Sequence, residues 1–188
     1  MIDDDKRRLR NKLENQAAQR EWEYKRKMRG QGILEKINSV LKSSFTVSCL
    51  RYNEEPPFPA ILTKRIEGSP GLVAPYISEI QATELLKCFE KCIGNKLDFQ
   101  IWFDELRFVG IISCVKLEFS TLPSLARTLQ DRIYIHPVQC GGVLVVDYYE
   151  QNWSSEDIDF SIIVQGGNFE THVQDCFAHC AFSTEAGH

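Results

Sequence analysis

Hydrophobic positions recur along this chain with two periods, near 3.6 and near 2, and the switches between them mark its elements. Residues 3–28 contain no Gly or Pro and are rich in Leu, Lys, Arg, Glu, Gln and Ala, types that lose little entropy in a helix. Asp3, Asp4 and Asp5 stand at the start of this stretch and Lys25–Arg29 at its end, which complements a helix dipole. Leu9, Leu13, Ala17 and Tyr24 form one narrow apolar stripe, with Trp22 off it. The stripe is too thin to bury a helix in a core, so the pattern predicts a projecting helix or a weak coiled-coil strand. Gly30-Gln31-Gly32 reads as a hinge, followed by a second helix whose Ile33, Leu34, Ile37, Val40 and Leu41 make a real apolar face.

Beyond the helices, Phe45–Arg51 reads as a strand, 53–59 as a proline-rich loop, and Ala60–Ile66 as a strand pairing back on the first. Gly68-Ser69-Pro70-Gly71 is a loop. Ser78–Ile93 reads as a helix opened by a Ser78/Gln81 capping box and closed by Gly94. Leu97–Phe103 alternates as a strand, Asp104-Glu105 turns, and Leu106–Phe119 reads as one long central strand with Gly110 at a bulge. A short helix follows over Pro123–Gln130. Arg132–Val138, Val143–Tyr149 and Ile158–Val164 are three more strands, and Phe169–Phe182 is a closing helix. This order predicts an α+β fold: a mainly antiparallel sheet with helices packed on one face, residues 31–188 as a single domain, and residues 1–30 as a projecting basic arm.

Charge sharpens that division. Residues 1–30 hold ten Lys and Arg against six acids, a net +4, whereas residues 31–188 hold twelve against twenty, a net −8. The basic groups cluster as Lys6-Arg7-Arg8 and Lys25-Arg26-Lys27, with i, i+4 ion pairs expected at Glu21–Lys25 and Glu23–Lys27. No apolar run is long enough to span a membrane and the N-terminus has no apolar h-region, so neither a membrane nor a secretory route is expected. The seven cysteines (49, 88, 92, 114, 140, 176 and 180) are odd in number, and several sit in apolar patterns. They are expected to be reduced thiols of a cytoplasmic or nuclear protein.

Candidate chemistry is thin. His172, Cys176, His179 and Cys180 share one face of the last helix and have zinc-ligand chemistry, but one helix rarely supplies a whole tetrahedral site, and core packing explains the cysteines. Cys140, before Gly141-Gly142 with His136 four residues back, has the types of a nucleophile–base pair without a recognised signature. The carboxylate pairs Glu54/Glu55, Asp104/Glu105 and Glu156/Asp157 fall at turns, and no phosphate loop is present. Asn15, Ala17, Ala18 and Arg20 have the residue types of a basic-leucine-zipper contact region, but the spacing departs and no leucine heptad follows. The stretch Asp147–Asp157, with Tyr148, Tyr149 and Trp153, reads either as an acidic-aromatic loop suited to a basic partner or as a hairpin loop whose half-buried Trp153 covers the sheet edge.

No catalytic residues and no cofactor are expected. The expectation is a non-catalytic interaction protein, an adaptor or assembly subunit, engaging a protein partner in a homo- or hetero-oligomer. Its contacts would be Leu9, Leu13, Tyr24, Tyr148, Tyr149 and Trp153. The alternatives are nucleic-acid association through the basic arm and an enzyme or zinc protein built on the Cys/His residues.

Overall fold

The computed structural model describes residues 2–54, 72–93, 97–150, 158–166, 168–171 and 173–174. Helix α1 (Ile2–Lys25) passes through a π-helical turn (Arg26–Gly30) directly into α2 (Gln31–Val40). The expected hinge at Gly30/Gly32 is not one. Gly30 and Gln31 both hold right-handed helical dihedrals, and the chain runs on without a break. Gly30 serves packing instead: it is buried, and a Cβ there would press into the Phe108 carbonyl oxygen, with the carbonyl carbon only 3.3 Å away. A glycine lets the helix lie on the backbone of α4 (Leu106–Val109), and the widened turn marks that contact. The expected domain boundary at 30/31 therefore falls inside one continuous helix.

Among the described residues, seven antiparallel strands form one sheet in the order β1-β4-β3-β5-β6-β7-β2. They are β1 (Phe45–Ser48), β2 (Leu72–Ser78), β3 (Phe99–Trp102), β4 (Ile111–Cys114), β5 (Ile133–Pro137), β6 (Val143–Glu150) and β7 (Ile158–Gln165). The fold is α+β, as the element order predicted. Helices α2, α3 (Glu79–Ile93) and α5 (Leu122–Leu129) cover one face. Ile33, Ile37, Leu86, Phe89, Leu122 and Leu125 from these helices meet Phe99, Ile101, Ile112, Ile135, Val146 and Ile162 from the strands in one buried cluster. Each such side chain contributes about 1.5–3 kcal/mol by leaving water. Val143 through Val146 are buried on both sides, as their unbroken apolar run requires.

Local chemistry explains most boundaries. The Ser78 amide donates to Gln81 Oε1 at 3.0 Å and the Gln81 amide to Ser78 Oγ at 3.3 Å, so the capping box forms at the start of α3. Pro123 sits in the first turn of α5, where its missing amide hydrogen costs nothing.

Two expectations fail. The predicted long strand 106–119 is a short helix (α4), then β4, then a 3-10 turn (Phe119–Thr121). The Gly110 amide bonds Leu106 O at 2.7 Å, closing the helical turn, and Gly110 then leaves it at φ 113°, against the backbone of Ser48. A doubly apolar run satisfies either structure, and the turn geometry decided. Strand β2 was also missed. Its pairing with β7 carries one extra residue between Ala74 and Ile77, where Pro75 and the positive-φ Tyr76 sit. Pro75 and that kink hide the alternation a strand would show. The predicted strand Ala60–Ile66 and most of the predicted helix 169–182 lie outside the described residues, although 168–171 are helical.

Candidate functional site

The arm is the first candidate. Every side chain from Lys6 to Glu21 is exposed, as a helix without a core face must be. Leu9, Leu13 and Tyr24 are 59%, 57% and 65% exposed, and Met28, which the sequence reading passed over, extends the stripe at 60%. Ala17 is exposed between them. These positions run at spacings of four and seven, and Leu13–Tyr24 and Ala17–Met28 are each eleven apart. An eleven-residue period, about 3.67 residues per turn, is the repeat of a right-handed supercoil and is not the heptad of a left-handed coiled coil. Lys6 and Arg20 project from the same side.

The other side of α1 is also exposed but faces an open groove shared with the surface residues Tyr52 and Asn53. Arg8, Asn11, Lys12, Asn15 and Gln19 line an open groove of about 540 Å³ with Tyr52 and Asn53. At its base, the Trp22 and Tyr52 rings lie 5.9 Å apart, the Arg26 guanidinium stands 5.4 Å over Trp22, and Arg26 donates to Leu50 O at 3.4 Å. The helix thus turns its polar side toward its own molecule and its apolar stripe outward.

Part of the arm's charge is engaged locally. Arg10 pairs with Glu14 at 2.9 Å, Lys25 with Glu21 at 2.6 Å, and Arg29 with Glu105 at 3.5 Å. The hydrogen bond and charge of Lys25 hold the Glu21 carboxyl below its usual range. The expected Glu21–Lys25 pair forms, whereas Glu23 accepts from the Gln19 amide at 3.0 Å instead of pairing with Lys27. Lys6, Arg7, Lys12, Arg20 and Lys27 remain on the exposed surface.

The acidic-aromatic stretch is not a loop at its start. β6 runs through Glu150, so Tyr148 and Tyr149 point to opposite faces of the sheet and cannot form one patch. Tyr148 is half-buried against the main core. Tyr149 is exposed, lies 5.9 Å from the Tyr76 ring, and donates its hydroxyl to Asp147 Oδ2 at 3.0 Å. Asp147 is itself buried and paired with Arg132, so it offers no lure to a basic partner. That pairing drives the Arg132 guanidinium pKa up, while burial and then the Asp147 carboxylate raise that of Tyr149. Trp153 lies outside the described residues.

The Cys/His candidates separate. His172, Cys176, His179 and Cys180 lie outside the described residues. Among the described residues, no three His, Cys, Asp or Glu side chains are gathered as a metal site. Cys140 is half-buried, and burial raises its thiol pKa, the opposite of nucleophile activation. His136 Nδ1 lies 2.9 Å from Gly142 O and is spent on the backbone. Gly141 and Gly142 hold φ of 64° and 97°, so turn geometry alone demands them. Cys49 and Cys114 are free thiols, and Cys114 is fully buried with its pKa pushed up to about 11. Cys88 is disulfide-bonded, which corrects the expectation that all the cysteines are reduced.

The second candidate was not foreseen. A groove of about 830 Å³ opens at one end of the sheet, where the segment leaving α2 meets β1, β3 and β4. Phe45, Phe99, Val115, Leu117 and Val138 give it an apolar lining, with Val115 and Val138 67% and 52% exposed. Thr46, Ser113 and Gln100 form a polar cross-strand row along it. Glu90, Asp98 and Glu118 stand at it against Lys42 and Lys116. Asp98 accepts from the Gln139 amide at 2.8 Å, while Glu90 and Glu118 make no ion pair among the described residues. Its size suits a ligand or a peptide segment. It joins residues from four elements, and only the strand order brings them together. Among the described residues no helix is long and apolar enough to cross a membrane. No protein-family model, no curated protein and no solved structure matches this chain.

Proposed function

We propose that this chain is a non-catalytic interaction protein, an adaptor or assembly subunit, that engages a protein partner through the outward stripe of α1. The observation that carries this reading is the exposure of Leu9, Leu13, Tyr24 and Met28 on one side of a helix whose opposite side faces its own body. A row of large apolar groups facing water gains stability when a partner covers it. The contact belongs to the arm alone, because Tyr148 and Tyr149 do not extend it.

The test is affinity isolation of the full chain beside its Leu9→Glu/Leu13→Glu/Tyr24→Ser variant, with each recovered protein then measured against both forms using purified components. All three sites are exposed, so the variant keeps its fold, checked by circular dichroism. Binding weakened at least tenfold by the variant is the expected result. A partner that binds both forms equally overturns the reading.

A further inference from the structure

We infer that the arm of one copy docks into the 830 Å³ groove of a second copy, giving a reciprocal dimer. This inference rests on the proposed role of the α1 stripe and names its partner.

Three observations carry it. First, the groove and the stripe match in kind. The stripe presents Leu9, Leu13 and Tyr24 with the cations Lys6 and Arg20 on the same side. The groove presents Phe45, Val115 and Val138 with Glu90 and Glu118 among its charged groups. Second, the charge split of the chain favours arm on body. Two arms laid together bring +4 against +4, while an arm on a body brings +4 against −8. The lysines of the groove, Lys42 and Lys116, leave it with one net negative charge against its three acids.

Third, the arm cannot reach the groove of its own molecule. The groove begins at Lys42, just past the end of α2, and α1 to α2 is one continuous helix. At 1.5 Å per residue, Leu9 stands roughly 45 Å from Val40 along that helix. The arm therefore points away from the groove of its own molecule. Two copies with their long helices antiparallel place each arm at the far end of the other helix, where the groove lies. The contact is made twice about a two-fold axis, which closes the assembly and doubles the area that one contact buries.

Sedimentation velocity of the purified full chain across a hundredfold concentration range tests this. The expected result is a monomer–dimer equilibrium, weakened at least tenfold by Leu9→Glu/Leu13→Glu and equally by Val115→Glu/Val138→Glu, and weakened by raising the salt. Both variants change exposed sites, and circular dichroism confirms their fold. Mixing the two variants restores one intact arm–groove contact, so a heterodimer reappears. A chain that stays monomeric throughout overturns the inference. A dimer lost with the arm variant but kept with the groove variant also overturns it, because that interface joins arm to arm. A dimer indifferent to both variants overturns it as well. A monomeric chain whose arm still binds another purified protein removes the second copy as partner and leaves the function proposed above standing. An arm that binds nothing removes both.

Discussion

Gly30 and Gly32 make a controlled pair, two residues apart in the same continuous helix. Replacing either with Ala relieves the same helix-propensity penalty, about 1 kcal/mol. Both lie in helical segments, and Gly30 holds φ −60° and ψ −39°, so Ala fits its backbone without strain. They differ only in what the new methyl group meets. Around Gly32 there is nothing within 4 Å, so Gly32→Ala stabilises the protein by ~0.5–1 kcal/mol. At Gly30 the methyl would collide with the Phe108 carbonyl, and that obstacle is backbone, which cannot swing aside as a side chain would. Overpacking of this kind costs roughly 1–3 kcal/mol, which cancels or outweighs the propensity gain and leaves Gly30→Ala between neutral and about 2 kcal/mol destabilised. For a chain of this size each kcal/mol moves the midpoint by about 2–4 °C, so thermal or urea unfolding separates the two variants clearly. Equal stabilisation by both substitutions would refute the close approach of the helix to α4, and with it the account of why the π-helical turn sits there.

Ser78→Ala removes the reciprocal bonds at the start of α3 and lowers stability by about 1 kcal/mol, read from urea unfolding; no change would mean that the capping box is not formed in solution. Cys114 couples stability to alkaline pH. Its thiol titrates near 9.0 when unfolded and about 11 when folded, so the unfolded chain releases its proton first and stability falls as pH rises from 9 to 11. The loss is about 3 kcal/mol at most, and Cys114→Val removes that part of the slope, measured as the difference between two unfolding curves at each pH. Thiol labelling of the folded protein at pH 7 should modify exposed Cys49 first, Cys140 more slowly, and Cys114 only on unfolding. Fast labelling of Cys140 would revive the enzyme alternative, because its raised pKa depletes the thiolate.

Features set by short stretches were the legible ones. The α3 capping box, the Pro123 start of α5, the alternation of β3 and β7 and the buried run of β6 each depend on a few neighbouring residues, and each formed where the pattern placed it. The exposed stripe of α1 was legible for the same reason, since helical period alone assigns its face. What failed depended on distant backbone. Nothing near Gly30 in sequence announces Phe108, and nothing near Gly110 announces Ser48, so one was read as a hinge and the other as a bulge. Asp147 looks like surface charge until β5 brings Arg132 beside it. The groove is the extreme case, because residues 42–46, 98–100 and 113–118 become neighbours only through the β1-β4-β3 order.

Among the described strands β2 is outermost, and it carries its own guard against fibre growth. A flat, regular border would present a template on which further strands could add without limit. Here the extra residue before Ile77 twists the border, Pro75 withholds a hydrogen-bond donor, and Tyr76 at φ 53° turns the backbone out of strand geometry. An incoming strand would find its register interrupted midway. The same irregularity that concealed β2 in the sequence thus keeps the sheet finite on that side.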